Sequence, residues 1–98
     1  MVVKIRMLGL FKKVAGREEI LLNLSGELRL REVIERILEE VDGLRDFLLD
    51  PELKDPRPNT IVLVNGKEIS LLGGPEAVIK DGDEIVLIPV IHGGLRIP

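Results

Sequence analysis

The chain has 98 residues, 45% of them apolar, only two aromatics (Phe11 and Phe47), no cysteine, one histidine and a formal net charge of −3. That is one domain by length, with aliphatic material for a single core. It excludes disulfides, zinc-thiolate sites and a thiol nucleophile, and no basic-aromatic patch points to nucleic acid.

The first predicted element is a strand. Val3, Ile5 and Met7 alternate with Lys4 and Arg6, the period-2 pattern of a half-buried strand, which the sequence extends towards Phe11. Ala15-Gly16-Arg17 punctuates. Glu19 to Leu24 predicts a second strand with Ile20, Leu22 and Leu24 on one face, joined to the first as a loose hairpin and closed by Ser25-Gly26. From Leu30 the period changes. Leu30, Val33, Ile34, Ile37, Leu38 and Val41 fall at helical spacing, with Arg31, Glu32, Glu35, Arg36, Glu39 and Glu40 opposite. Glu32 and Arg36 stand i,i+4 in the favourable order. Asp42-Gly43 ends this helix.

Leu44 to Leu49 predicts about one helical turn, and Pro51, Pro56 and Pro58 mark a loop. Thr60 to Val64 is β-branched and nearly all apolar, the composition of a central strand. Asn65-Gly66 signals a hairpin, with Lys67 to Ile69 as a short return strand. Leu71 to Gly74 is expected as a loop, Glu76 to Ile79 as a short helical turn, and Asp81-Gly82-Asp83 as a turn rather than a metal loop. Glu84 to Ile91 is the last strand. The expected fold class is α+β: a mixed sheet of four to five strands, its first and last strands side by side, with one main helix across one face.

No apolar stretch approaches the roughly 20 residues of a membrane span, and no signal peptide opens the chain. A cytoplasmic protein is expected, with no membrane partner. The Glu, Arg, Lys and Ile content and the lack of Gln lean towards a thermophilic source. There is no phosphate-binding glycine loop and no paired set of carboxylates for acid-base work. Catalytic residues and bound cofactors or metals are therefore not expected.

The informative segment is Pro89-Val90-Ile91-His92-Gly93-Gly94, followed by Leu95-Arg96-Ile97-Pro98. A Gly-Gly segment has no Cβ and threads a tunnel too narrow for other residues. The Gly94 carboxylate would be a chemical handle, but here it is bound in a peptide to Leu95. His92 reads as a polar residue for a partner to recognise rather than a base. In the last strand, Val86 and Ile88 lie on the opposite face from Ile85 and Leu87. With Val90 they are the candidate partner-docking strand.

Ile61-Val62-Leu63-Val64-Asn65, Leu71-Leu72-Gly73, Asp81-Gly82-Asp83-Glu84-Ile85 and His92-Gly93-Gly94 together resemble the superfamily of sulfur carriers and ubiquitin-like modifiers. It includes the molybdopterin-synthase small subunit (MoaD), the thiazole sulfur carrier (ThiS), the small archaeal modifiers and the ubiquitin-related modifier of tRNA thiolation. The resemblance covers nearly the whole chain and implies a ubiquitin-like β-grasp domain over 1–94. Residues 95–98 would be an extension removed at a Gly94–Leu95 junction by a diglycine-specific protease. It further implies an E1-like adenylating enzyme that uses ATP and Mg²⁺ to activate Gly94. A persulfide donor would then form a thiocarboxylate, or a target lysine an isopeptide. His92-Gly93-Gly94 and Leu71-Leu72 lean towards the ubiquitin-related modifier. Pro89 alone matches the Pro-Pro more usual in the molybdopterin-synthase subunit, which would instead bind a larger synthase subunit. A third reading is a β-grasp interaction module that is never activated.

Overall fold

A computed structural model of the chain describes residues 1–50, 52–53 and 55–90. The elements run β1 (Val2–Met7), α1 (Gly9–Ala15), β2 (Glu19–Asn23), β3 (Leu28–Arg29), α2 (Leu30–Glu40), α3 (Arg45–Leu48), β4 (Thr60–Val64), β5 (Lys67–Glu68), two 3₁₀ turns (Ile69–Leu72 and Gly74–Glu76), β6 (Val78–Ile79) and β7 (Glu84–Pro89).

The five-stranded sheet has the order β2-β1-β7-β4-β5. β1 and β7 lie side by side, as expected of the first and last strands, and pair in parallel, with Ile5 opposite Ile85 and Met7 opposite Leu87. β2 joins β1 antiparallel, and β4 joins β7 antiparallel with Val62 opposite Leu87. Asn65 (φ 50°) and Gly66 (φ 83°) form the tight turn from β4 to β5, the two positive-φ positions of a hairpin turn whose twist matches its strands.

One face of the sheet is the core face. Val3, Ile5, Met7, Ile20, Leu22, Val62, Ile85 and Leu87 are buried there with Leu30, Val33, Ile34, Ile37 and Leu38 of α2 in one cluster. All six polar positions named for α2 are exposed. The predicted Glu32–Arg36 pair is not what forms. The Glu32 carboxylate accepts instead from the Arg29 backbone N–H at 2.8 Å, satisfying a donor before the first turn. Arg36 stands 4.0 Å from Glu39.

Three local expectations are corrected. The first strand stops at Met7, and the interval before β2 is a helix. Phe11 is buried and Val14 and Ala15 are packed against the core, the i, i+3, i+4 set of an amphipathic turn. Gly16 (φ 74°) then closes α1, its N–H donating to Lys12 O at 2.9 Å. Second, Leu71–Gly74 is mostly a 3₁₀ turn rather than open loop. Third, Val78-Ile79 is a strand, not a helical turn. It pairs antiparallel with Leu28-Arg29, to which the sequence pattern assigns no element. Two-residue strands are too short to show a period, so only the tertiary pairing reveals them.

β4 is interior but not buried on both faces. Thr60, Val62 and Val64 are buried while Ile61 is exposed and Leu63 half-buried. The helix covers one face of the sheet only.

Candidate functional site: the last strand, its exit and the open sheet face

β7 positions everything that precedes the diglycine. Its alternation sends Ile85 and Leu87, both fully buried, into the core. Val86 and Ile88 point to the open face and are half-buried.

The strand's exit is fixed by a chain of backbone bonds. Leu8 N–H donates to Leu87 O at 3.1 Å, the last rung to β1. In a parallel ladder the next rung would come from residue 89 to Leu8 O. Pro89 has no N–H, so the ladder ends there. Leu8 O accepts instead from Phe11 N–H at 3.1 Å, which opens α1. On the other side Thr60 faces Pro89, and Val90 N–H donates to Asn59 O at 3.0 Å. Asn59 is itself anchored: its Nδ2 donates to Leu49 O at 2.9 Å. The buried Thr60 hydroxyl donates to Leu48 O, also at 2.9 Å. Gly9 sits at φ +53°, and a Cβ there would lie 3.1 Å from Pro89 Cγ. The glycine lets the start of α1 close onto the proline at the exit.

The open face continues across three strands. Ile61 is opposite Ile88, and Leu63 is opposite Val86. Val86 is also opposite Arg6, and Lys4 is opposite Glu84. The result is an apolar stripe on β4 and β7 beside a charged strip on β1 and β2. Arg6 stands 3.4 Å from Glu18, Lys12 3.4 Å from Glu18, and Lys4 3.9 Å from Glu19. The hydrogen bond from Arg6, with another from Lys12, holds the Glu18 carboxyl below the usual carboxylate range. Ile61, Leu63 and Arg6 belong to this face although the sequence reading did not assign them. The uniformly apolar run Ile61 to Val64 does not mark which side chains face outward, so only the cross-strand register gathers these residues.

Of the predicted site residues, the structure brings Val86 and Ile88 together with Ile61 and Leu63. Val90 is half-buried and lines a separate cleft at the exit, with Leu10 and Phe47. His92, Gly93, Gly94 and Leu95 lie outside the described residues. Asp81-Gly82-Asp83 is structural: Asp83 accepts from Asn65 Nδ2 and from Lys80 N–H, each at 2.8 Å, tying the β4–β5 turn to the entry of β7. Among the described residues no group of three or more His, Cys, Asp or Glu stands where it could hold a metal ion. No described helix is long and apolar enough to cross a membrane.

Comparison with known proteins agrees with this architecture. A family model described as the ThiS family matches residues 5–94. The small archaeal modifier protein 3 of Haloferax volcanii is 30% identical over 96% of this chain and 100% of its own. The solution structure of the ubiquitin-related modifier Urm1 from Trypanosoma brucei superposes with a TM-score of 0.79 at 25% identity, covering 95% of each chain. A Pyrococcus furiosus protein described as a molybdopterin converting factor, subunit 1, superposes with a TM-score of 0.74 at 25% identity, covering 91% of this chain and 97% of its own.

Proposed function

Because the chain belongs to the ThiS family of small ubiquitin-like carriers and modifiers, we propose that it is a sulfur carrier or protein modifier whose working group is the Gly94 carboxylate. Residues 95–98 are removed first, by a protease that cuts after the diglycine. An E1-like partner then adenylates Gly94 with ATP and Mg²⁺. The carboxylate oxygen attacks the α-phosphorus and pyrophosphate leaves. The acyl-adenylate is a good electrophile, and either of two nucleophiles takes it. The outer sulfur of a persulfide donor attacks the acyl carbon to give an acyl disulfide. A second thiol then cleaves its S–S bond, becoming a disulfide with the donor and leaving a thiocarboxylate that carries sulfur to tRNA. Alternatively a target lysine amine attacks, loses a proton and gives an isopeptide. In each case AMP leaves.

The observation that supports this reading most is the seat of the chain ahead of the diglycine. β7 is held on both sides by β1 and β4, and Val90 is bonded to Asn59. Gly94 stands four residues beyond Val90, a reach of about 13 Å when extended. A rigid base with a short side-chain-poor stalk delivers a carboxylate into a partner's site while the domain stays outside. The open-face stripe of Ile61, Leu63, Val86 and Ile88 is the surface we assign to the activating partner. Apolar side chains on an uncovered sheet face lose water when a partner docks, and the flanking charges set orientation. The chain supplies stalk and surface, and its partners supply catalysis.

The second reading is the small subunit of molybdopterin synthase, which would pass sulfur to a pterin while bound to a larger subunit. The likeness to the Pyrococcus furiosus protein supports it. Pyrophosphate release tests the activation that both readings require, and binding to a synthase large subunit separates the two. The chain ending at Gly94 is incubated with ATP, Mg²⁺ and candidate E1-like enzymes of its host, and pyrophosphate release is followed. Release that requires a free Gly94 supports activation. A stable complex with a synthase large subunit, without transfer to tRNA, selects the second reading. No release with any candidate leaves an interaction module.

A further inference from the structure

β2 forms one border of the main sheet. It pairs with β1 along its whole length without a bulge, from Glu19 opposite Arg6 to Asn23 opposite Val2. The bonds at its two ends fix which way each backbone group points. Leu24 N–H donates to Met1 O and Met7 N–H to Glu18 O, both at 2.7 Å. Bonded and non-bonded positions alternate along an antiparallel pair. Ile20 and Leu22 therefore bond to β1, and the N–H and C=O groups of Glu19, Leu21 and Asn23 point away from the sheet. Among the described residues none of these outward groups has a hydrogen-bond partner.

Such an edge is a template for another strand unless something blunts it. β2 holds no proline, lysine or arginine. Its one charge, Glu19, stands 3.9 Å from Lys4. Leu21, at the middle of the strand, is 65% exposed on the open face, opposite Lys4. The far border, β5, is only two residues long and offers little to pair with. We propose that β2 is a self-pairing site: it joins β2 of a second copy antiparallel, about a twofold axis at Leu21. Charge and register select this occupant. With Leu21 opposite Leu21 of the second copy, Glu19 lies opposite Asn23, and each of these pairs exchanges both its bonds. No other register pairs all three outward positions of both strands. Centring the axis on Glu19 would set Glu19 against its own copy, and like charges directly opposite destabilise a sheet. The strand ends are complementary too. Arg17 precedes β2 and Glu27 follows it, and neither has an ion pair or side-chain hydrogen bond among the described residues. The register sets Arg17 opposite Ser25 of the second copy, with Glu27 at the diagonal that long side chains reach. The twofold axis repeats this contact. Two five-stranded sheets become one, with both open faces on the same side. β1 separates β2 from β7, so each copy keeps its exit and its apolar stripe uncovered. The pairing does not depend on the carrier reading.

The test needs no partner enzyme. Sedimentation of the full chain is followed from about 1 µM to about 1 mM, the range that suits a small interface. The expected result is a shift from monomer to dimer mass, with slower amide exchange at Glu19, Leu21 and Asn23 as concentration rises. In this register Ile20 and Leu22 of the two copies form a close non-hydrogen-bonded pair. An intermolecular Overhauser contact should therefore join Ile20 Hα to Leu22 Hα in a mixed isotope-labelled sample. Leu21→Glu faces Lys4 within its own sheet and its own copy across the interface, so it should keep the monomer fold and abolish the dimer. Arg17→Glu should weaken association about tenfold, and Arg17→Glu/Glu27→Arg should restore it. Association that Leu21→Glu leaves unchanged would overturn the proposal, as would a dimer without the Ile20–Leu22 contact. A chain still monomeric at about 1 mM would overturn it too, and would leave the edge to an extended segment of another protein.

Discussion

Replacing Gly9 by alanine tests how the exit of β7 is built. Gly9 has φ +53°, and the added Cβ would meet Pro89 Cγ at 3.1 Å. Two costs combine. Placing an L-residue in the left-handed region costs about 1–2 kcal/mol. Crowding a half-buried proline ring that must shift by a few tenths of an ångström adds about 1 kcal/mol. Reduced freedom of the unfolded chain returns about 0.4–1 kcal/mol. Gly16→Ala is the internal control. Its φ is +74°, but nothing lies within 4 Å of its Cβ, so it carries the conformational cost and the unfolded-state gain without the contact. Urea unfolding of both variants is expected to show Gly9→Ala less stable than Gly16→Ala by about 1 kcal/mol. Amide shifts at Val90 should move in the first variant and not in the second. Equal losses of stability, with Val90 unmoved in both, would refute the claim that the start of α1 is closed onto the exit.

Three further predictions follow from named contacts. Ile61→Ser/Ile88→Ser should leave the unfolding midpoint nearly unchanged while weakening an activating partner about 30-fold, the equivalent of about 2 kcal/mol for a central apolar contact; a titration of the partner that is unaltered would remove the open face from the account. Thr60→Val removes the 2.9 Å bond to Leu48 O and should cost about 1–3 kcal/mol by leaving that carbonyl unsatisfied, measured by urea unfolding. Asp55 is bonded by the Arg57 side chain, which holds its carboxyl below the usual range. A carboxyl depressed in the native state stabilises the fold at neutral pH, and that contribution disappears as pH falls through its native value. Asp55→Asn should therefore lose about 0.5–1 kcal/mol at pH 7 for an ion pair whose Arg57 partner is solvent-exposed, and the difference from wild type should vanish in acid.

The elements with a strong period were legible in the sequence. Val3 to Met7, Glu19 to Leu24, Leu30 to Val41 and Glu84 onward each carry enough residues to distinguish a period of 2 from 3.6. The adjacency of first and last strands was an expectation of the fold class, while their parallel sense emerged only from the sheet register. What escaped was short or compositionally flat. α1 is a two-turn helix behind a strand, and its Leu10-Phe11 start reads equally well as continued alternation. β3 and β6 have two residues each and exist because they meet. The β4 segment is apolar at Ile61, Val62, Leu63 and Val64, so composition hid that half of them face outward. The site was legible in part for the same reason. Val86 and Ile88 stood out by alternation within a known strand, whereas Arg6, Ile61 and Leu63 join them only through cross-strand register. The Leu10–Phe47 cleft depends on α1, and so no reading that missed the helix could assemble it.

The central claim is that Gly94 becomes a free, activated terminus, and the intact mass of the protein from its native cells tests it most directly. The account predicts a chain ending at Gly94, with a fraction in which one oxygen is replaced by sulfur or in which the terminus is joined to a lysine of another protein. A chain that retains Leu95 to Pro98 in every molecule, and that its host's activating enzymes and ATP leave unchanged, would contradict it.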